Sequence, residues 1–223
     1  MISHKNKYIF IHIPKCAGTS VEKALGQDDE GIHKDLQDHR TIRQLELPVN
    51  LSEVLKSRKN IYQYLLRIQN YTTRFNTRNN VTQDQYKQYY KFTIVRNPWA
   101  RAWSWYQNVM RDQIHQRRLG ITSRTSFEQF TFKFAGKGML RSQLSWLQDY
   151  RGDLPVDDIY RFEDLQQAFR NICKKLAIKY RPLPRTLQGK QTLLSKQYSK
   201  ELRDYVATVY ADEIKLFNYR FPS

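Results

Sequence analysis

The stretch that decides the fold of this chain is Lys7-Tyr-Ile-Phe-Ile-His-Ile-Pro-Lys-Cys-Ala-Gly-Thr-Ser-Val-Glu22. Its apolar run, from Tyr8 to Ile13, predicts a buried parallel strand that breaks at Pro14. A helix pattern begins at about Thr19, and Glu22 follows three residues later, which is the spacing of a capping box. The stretch therefore predicts a strand, a short loop and a helix, in that order.

The loop between this strand and helix carries Lys15, Gly18, Thr19 and Ser20. At such a junction the free backbone N–H groups and the positive end of the helix dipole favour a bound anion. We therefore expect a phosphate or sulfate ester here. The alternative is a solvent-exposed turn in which Lys15 is incidental.

The loop does not have the pattern of an ordinary nucleotide-triphosphate loop. In that motif a Lys follows the second Gly, whereas Lys15 precedes the single Gly of this loop. A magnesium partner would require an apolar strand that ends in Asp, and Val156-Asp157-Asp158 is too short and too polar for that role.

A second strand–loop–helix pattern lies in Phe92-Thr-Ile-Val-Arg-Asn-Pro-Trp-Ala-Arg-Ala-Trp-Ser-Trp-Tyr106. Phe92 to Val95 is strand-like, Asn97 suits an N-cap, and Pro98 suits the first helical position. Arg96 leaves the carboxyl end of the strand, and Ser104 lies about two turns into the helix. Ligands of open α/β sheets collect at the carboxyl ends of strands. Two strands that are each followed by a cation predict one ligand with two anionic groups.

Composition limits the fold and the partners. A length of 223 residues suits one α/β domain over residues 1–223, and the longest apolar run, six residues from Tyr8, is far too short to span a membrane. The net charge of +17 comes from 38 Lys and Arg against 21 Asp and Glu. Such a basic field suits an acidic polysaccharide, an anionic lipid surface or a nucleic acid. The local density of cations is high from Arg111 to Arg124.

The two cysteines, Cys16 and Cys173, have no spacing that indicates a disulfide or a metal site. Cys173 falls on the apolar face of a predicted helix and is expected in the core. Cys16 is interpreted as a small loop residue whose backbone N–H matters more than its sulfur.

The two strand–loop–helix motifs carry a resemblance to a known family. Pro14-Lys-Cys-Ala-Gly-Thr-Ser20 resembles the 5′-phosphosulfate loop of sulfotransferases, and Arg96-Asn-Pro-x-x-Arg-x-x-Ser-x-Tyr106 resembles their 3′-phosphate motif. The chain is most similar to the branch that includes heparan sulfate 2-O- and chondroitin sulfotransferases and their compact microbial relatives. Weaker similarities continue through residues 39–43, 143–147, 158–165 and 210–221. The resemblance implies a P-loop-like central parallel sheet flanked by helices.

The resemblance also implies the donor, 3′-phosphoadenosine 5′-phosphosulfate (PAPS), which leaves as 3′,5′-ADP, and it implies no metal. Lys15 is expected to stabilise charge on the leaving phosphate, and Arg96 and Ser104 are expected to hold the 3′-phosphate. Arg101 is a further candidate for that contact. The expected 5′-phosphosulfate contacts are Lys15, Cys16, Ala17, Gly18, Thr19 and Ser20.

The acceptor hydroxyl needs a base, and the chain has five histidines. His39 leads the segment that resembles the family's proton-accepting His, and a neutral imidazole suits that role. His33 is a rival, and His39 could instead be a polar cap before a helix. His12 is expected in mid-strand as a buried structural residue.

The expected acceptor is a glycan or glycolipid hydroxyl, on a molecule that could itself be anionic, rather than a phenol or steroid. Lys190 is a further candidate for a donor contact. Golgi members of the family carry an N-terminal anchor, and no apolar signal precedes Tyr8, so a cytoplasmic enzyme is expected, with peripheral membrane contact left open. The alternatives are a kinase-like phosphotransferase and a basic nucleic-acid-binding protein; the second leaves both motifs unexplained, so we expect no nucleic-acid partner.

Overall fold

The computed structural model describes residues 1–26, 37–72, 80–183 and 194–222. It divides into two compact units. The first comprises Met1–Ile13, Ala17–Val95 and Gln143–Leu183, and the second comprises Pro14–Cys16, Arg96–Ser142 and Pro184–Ser223, each within the described ranges. The assignment of residues 1–223 to a single domain stays a prediction.

The first unit contains a four-stranded sheet of β1 (Ile2–Ser3), β2 (Tyr8–Ile11), β3 (Tyr90–Val95) and β4 (Asp158–Arg161), in that spatial order. β1 pairs antiparallel with β2, whereas β2, β3 and β4 are parallel. All of β2 is buried, as continuous apolar runs in parallel sheets usually are. The predicted α/β class with a mostly parallel central sheet is confirmed, although β2 ends at Ile11 rather than Ile13.

Strand β4 is short and polar, and two aspartates at its start bond to residues of β3. The carboxylate of Asp157 accepts a bond from the backbone N–H of Lys91 at 2.6 Å, and that of Asp158 accepts one from the hydroxyl of Tyr90 at 2.6 Å. Both aspartates lie at the amino end of β4, opposite the ends from which the loops after β2 and β3 leave. This agrees with the prediction that they do not fill the role of a magnesium-binding strand end.

The helices of the first unit are α1 (Gly18–Leu25), α2 (Ile42–Leu45), α3 (Leu51–Leu55), α4 (Arg58–Thr72), α5 (Gln83–Gln88), α9 (Leu144–Leu147) and α10 (Leu165–Lys175). In α10, Ala168, Phe169, Ile172 and Cys173 form the buried face. The core position predicted for Cys173 is confirmed.

The second unit is helical. It contains α6 (Pro98–Met110), α7 (Gln113–Leu119), α8 (Phe127–Phe134), α11 (Lys200–Val209) and α12 (Ala211–Leu216). The core packs one face of α6, with Ala102, Trp105 and Val109 at helical spacing, against Phe127 and Phe130 of α8. Across the described parts of both units, no helix is both long and apolar enough to cross a membrane.

The two helix starts that follow β2 and β3 differ. Asn97 caps α6 as predicted, because its side-chain oxygen accepts from the N–H groups of Trp99 and Ala100, and Pro98 is the first helical residue. The capping box predicted for Thr19 and Glu22 is wrong. Helix α1 begins at Gly18 after Ala17, which has a left-handed backbone (φ 63°). Thr19 is therefore already inside the helix, too late to cap it.

Candidate functional site

The side chain of Lys15 is fixed within the second unit. Its Nζ donates to Oδ1 of Asn108, on α6, at 3.1 Å. Lys15 and Ala17 both have left-handed backbones, with φ of 67° and 63°. This conformation costs a non-glycine residue about 1–2 kcal/mol. The backbone of the loop is therefore sharply folded at Lys15, and the hydrogen bond to Asn108 orients the Lys15 ammonium.

The environment of Lys15 is cationic. Burial, followed by the positive charges of Arg96 and Arg111, lowers the pKa of Lys15 to about 8. Within the described ranges, no carboxylate lies within ion-pair distance of the Lys15 ammonium. Lys15 is still mostly protonated at pH 7, and a bound anion would relieve its repulsion from the two arginines.

Arg96 and Ser104, the residues predicted to hold the 3′-phosphate, belong to the same unit. Arg96 is half-buried, and its Nη1 donates to the carbonyl of Lys15 at 3.0 Å. Ser104 lies one helical turn before Asn108, so the two side chains share one face of α6. The structure thus brings Arg96 to Lys15 and places Ser104 on the helix face that contacts Lys15. Their binding of a phosphate stays a prediction.

Arg101 has a structural role. Its side chain is almost fully buried, with 1% exposed. The guanidinium donates to the carbonyls of Pro14 at 3.1 Å, Met139 at 2.7 Å and Arg141 at 3.0 Å. These bonds hold the residue before Lys15, so we assign Arg101 to the support of the loop rather than to a phosphate. The sequence around Arg101 does not indicate that its guanidinium binds backbone carbonyls.

In the first unit, His12 packs against the start of α1. The ring is 2% exposed and lies just beyond the end of β2, so the buried state is confirmed but the mid-strand position is wrong. A Cβ added to Gly18 would lie 1.9 Å from Cδ2 of His12. Glycine is therefore required at position 18 because the imidazole occupies the space. Nδ1 of His12 lies 3.0 Å from Oε1 of Glu22. The Glu22 carboxylate therefore faces His12 and does not cap the helix.

His39 lies beside His12, with ring centroids 4.3 Å apart. Nδ1 of His39 is 3.0 Å from the carbonyl oxygen of His12, and its Nε2 is 3.1 Å from the side-chain amide of Gln37. The same amide lies 2.7 Å from the hydroxyl of Thr19. Burial, followed by the charge of His12, lowers the pKa of His39 to about 4, so the ring is neutral at pH 7.

A neutral His39 has one N–H and one lone pair. The carbonyl of His12 can only accept, so Nδ1 of His39 carries the proton and Nε2 carries the lone pair. In the structure Oε1 of Gln37 faces Nε2 of His39, and the NH₂ group of Gln37 donates to the Thr19 hydroxyl. Because the two ends of an amide have nearly the same shape, we assign the flipped orientation, in which the NH₂ group donates to Nε2 of His39 and the oxygen accepts from the Thr19 hydroxyl. His39 therefore presents a proton acceptor rather than a helix cap; Thr41 and Gln44 supply the cap of α2.

The remaining predicted residues are placed as follows. The thiol of Cys16 is buried and lies 3.7 Å from the carbonyl of Pro14, as a small loop residue would. Gly18, Thr19 and Ser20 form the first turn of α1, after Ala17. His33 and Lys190 lie outside the described residues. In the part of the chain that is described, no group of three or more His, Cys, Asp or Glu residues is arranged to hold a metal ion.

Comparison with known proteins identifies the family. The model of the Sulfotransferase family, Sulfotransfer_2, matches residues 1–220, nearly the whole chain. No curated protein and no solved structure matches the chain. The matched region includes both strand–loop–helix motifs, the Lys15 loop and the His39 segment. The chain therefore belongs to the sulfotransferase family.

Proposed function

We propose that this protein transfers a sulfuryl group from PAPS to a hydroxyl of a glycan or glycolipid. One observation supports this most strongly. In a chain of the sulfotransferase family, the loop after the first parallel strand presents a half-buried ammonium, held by Asn108 and repelled by two arginines. Such a group favours a multiply charged anion, as a sulfated nucleotide is.

The residues that would hold the donor fall into two sets. Lys15 and the backbone of residues 16–20 fit the 5′-phosphosulfate, because a folded loop at a helix start offers N–H groups and a cation. Arg96 and Ser104 fit the 3′-phosphate, since a guanidinium binds phosphate in a bidentate way. The donor, when bound, supplies a sulfuryl group activated by its bond to phosphate.

Lys15 neutralises charge on the phosphate oxygen that leaves. Electrostatic stabilisation of this kind is the main contribution of a protein to in-line transfer between two oxygens. A half-buried ammonium already oriented by Asn108 loses little further freedom when it contacts the leaving phosphate. His39 accepts the proton of the acceptor hydroxyl on Nε2, and the hydroxyl takes the place that the Gln37 amide occupies.

A ligand-binding experiment tests the donor assignment. We expect 3′,5′-ADP to bind and raise the unfolding temperature more than ATP with magnesium does, and Arg96→Ala to weaken 3′,5′-ADP by about 10–100-fold, the effect of losing a charged hydrogen bond. Equal shifts for the two nucleotides would count against the 3′-phosphate assignment. Turnover of ATP that needs magnesium would favour the kinase-like alternative. A cytoplasmic location and the lack of a nucleic-acid partner stay predictions.

A further inference from the structure

Exposed apolar side chains concentrate on one pair of adjacent helices in the first unit, α3 and α4. Ten large apolar side chains are exposed among the described residues, and six of them form what we call the α3–α4 surface: Leu51, Leu55, Ile61, Tyr62, Leu65 and Ile68. Ile61, Leu65 and Ile68 follow one another at i, i+4 and i+7, so they form one stripe along α4. Single exposed apolar side chains are common, whereas a patch of them usually marks a binding surface.

The face of α4 that packs on the unit is polar. Asn60, Gln63 and Arg67 are buried at helical spacing. The side chain of Asn60 donates to the carbonyl of Tyr150 at 2.8 Å, and the amide oxygen of Gln63 accepts from the hydroxyl of Thr41 at 2.9 Å. An amphipathic helix of a globular domain normally buries its apolar stripe instead. Hydrogen bonds therefore hold α4 in place, and its apolar stripe is left for a partner.

The charged residues of α4 are all basic. From residue 54 to residue 83 the sequence has six Lys and Arg and no Asp or Glu. Arg58 and Lys59 are exposed in the first turn of α4, and Arg58 lies one turn before Tyr62 on the exposed face. The nearest preceding acid, Glu53, is paired with Lys56 at 2.7 Å. Apolar side chains beside cations on an exposed helix are typical of helices that lie in the interface of an anionic bilayer.

Two other partners fit these observations less well. In a symmetric dimer through this surface, the cations of two α4 helices would be brought together, in a chain whose net charge is already +17. A nucleic acid would be attracted by the same cations, but single strands bind largely by stacking on aromatic rings. Tyr62 is the one aromatic residue among the six of the α3–α4 surface, and the other five are aliphatic.

We propose that the α3–α4 surface binds an anionic lipid bilayer. Its apolar side chains enter the interfacial region, and Arg58 and Lys59 contact lipid phosphates. The opposite face of α4 bonds to Thr41, two residues after His39. If the proposed function is correct, the bilayer would present a glycolipid acceptor to the unit that contains the base. Lipid binding itself does not depend on that function and can be measured without turnover.

Sedimentation with vesicles tests this assignment. The protein should bind vesicles of phosphatidylglycerol and phosphatidylcholine much more strongly than vesicles of phosphatidylcholine alone. Leu65→Gln should weaken this binding at least about tenfold, as the loss of one leucine from an apolar environment does. Its stability to urea should be unchanged, because the side chain is 58% exposed in the free protein.

Leu216→Gln is the matched control. Leu216 is 53% exposed and is the same residue type, but it belongs to α12. This variant should bind anionic vesicles as the wild type does. Arg58→Gln tests the charge separately, and it should weaken binding to anionic vesicles about fivefold, the contribution of one cation near an anionic surface.

Four results would overturn the proposal. Equal losses in Leu65→Gln and Leu216→Gln would show that the α3–α4 surface is not the contact, and equal binding to both kinds of vesicle would show that anionic lipid is not recognised. A dimer in lipid-free solution that Leu65→Gln dissociates would assign the surface to a second copy. RNA binding that Arg58→Gln weakens, without vesicle binding, would assign it to a nucleic acid. If the vesicle results hold while 3′,5′-ADP does not bind, the lipid surface stands and the proposed donor is wrong.

Discussion

The Lys15 loop and the His39 site use the same physical effect for opposite purposes. Burial lowers the pKa of both side chains, to about 8 for Lys15 and about 4 for His39. At pH 7 the lysine is nevertheless mostly protonated and charged, whereas the histidine is neutral. The first region thus offers a fixed positive charge, and the second offers a fixed lone pair. Environments that separate protonation states in this way are usual for acid, base and charge-stabilising groups, and the assignment of Lys15 and His39 to one reaction rests on the proposed function.

The two regions also differ in how they are held. Lys15 is fixed by contacts within the helical unit. Asn108 accepts from its ammonium, Arg96 donates to its carbonyl, and Arg101 donates to the carbonyl of the preceding residue, Pro14. His39 is fixed by the carbonyl of His12 and the amide of Gln37 within the sheet-containing unit. A substitution can therefore remove one function while the other stays intact, which makes the comparison open to experiment.

The largest effect is expected for His39→Ala. If His39 is the base, the rate of transfer falls by about 10²–10⁴-fold, the usual contribution of a positioned base. Affinity for 3′,5′-ADP, measured by calorimetry, should stay within about twofold. His4→Ala is the control, because His4 contacts Tyr89 and, among the described residues, is hydrogen-bonded to none of the proposed site. Near-normal turnover in His39→Ala together with an inactive His33→Ala would make His33 the base.

Lys15→Ala should instead damage turnover and donor binding together. Loss of one group that stabilises charge at the reacting oxygen costs about 10²–10³ in kcat. Asn108→Ala should give a smaller loss of the same kind, because it frees the lysine without removing it. Lys23→Ala, an exposed lysine in the last turn of α1, should have neither effect. A Lys15→Ala variant with normal kcat and only a raised KM would reduce Lys15 to a binding residue.

A smaller effect, on stability, is expected for Gly18→Ala. The new methyl group must displace the ring of His12, and such overpacking costs about 1–3 kcal/mol of unfolding free energy. Urea unfolding would measure the loss. In a His12→Ala background the same substitution should cost much less, since the clash is gone. Equal costs in the two backgrounds would mean that the close approach of His12 to Gly18 is not what requires the glycine.

The parts of the fold that sequence could predict are those set by local rules. β3 and the Asn97 cap of α6 depend on neighbouring residues; the cap is predicted correctly, and the strand is predicted from Phe92 to Val95, although β3 begins two residues earlier at Tyr90. The capping box at Thr19 has the right spacing, but spacing alone cannot show that Ala17 adopts a left-handed conformation and starts the helix earlier. In the same way, the polar segment at Asp158 becomes a strand only because β3 supplies its partners.

The site was predictable in its residue types but not in its contacts. Lys15, Arg96 and His39 follow from motifs, whereas Asn108 contacts a lysine 93 positions earlier in the chain. Gln37, which covers the lone pair of His39, belongs to no motif in the sequence. Contacts over such distances depend on how the chain packs, so they carry no local signal.

The pH dependence of kcat/KM tests most directly the claim that the site pairs a charged lysine with a neutral histidine. For the free enzyme, activity should fall below a pKa of about 4, where His39 gains a proton, and above about 8, where Lys15 loses one. Lys15→Arg should keep residual activity and move the alkaline limb to higher pH, with circular dichroism as the check that the protein stays folded. An alkaline limb that is unchanged in Lys15→Arg would contradict the account, because another group would then control the reaction.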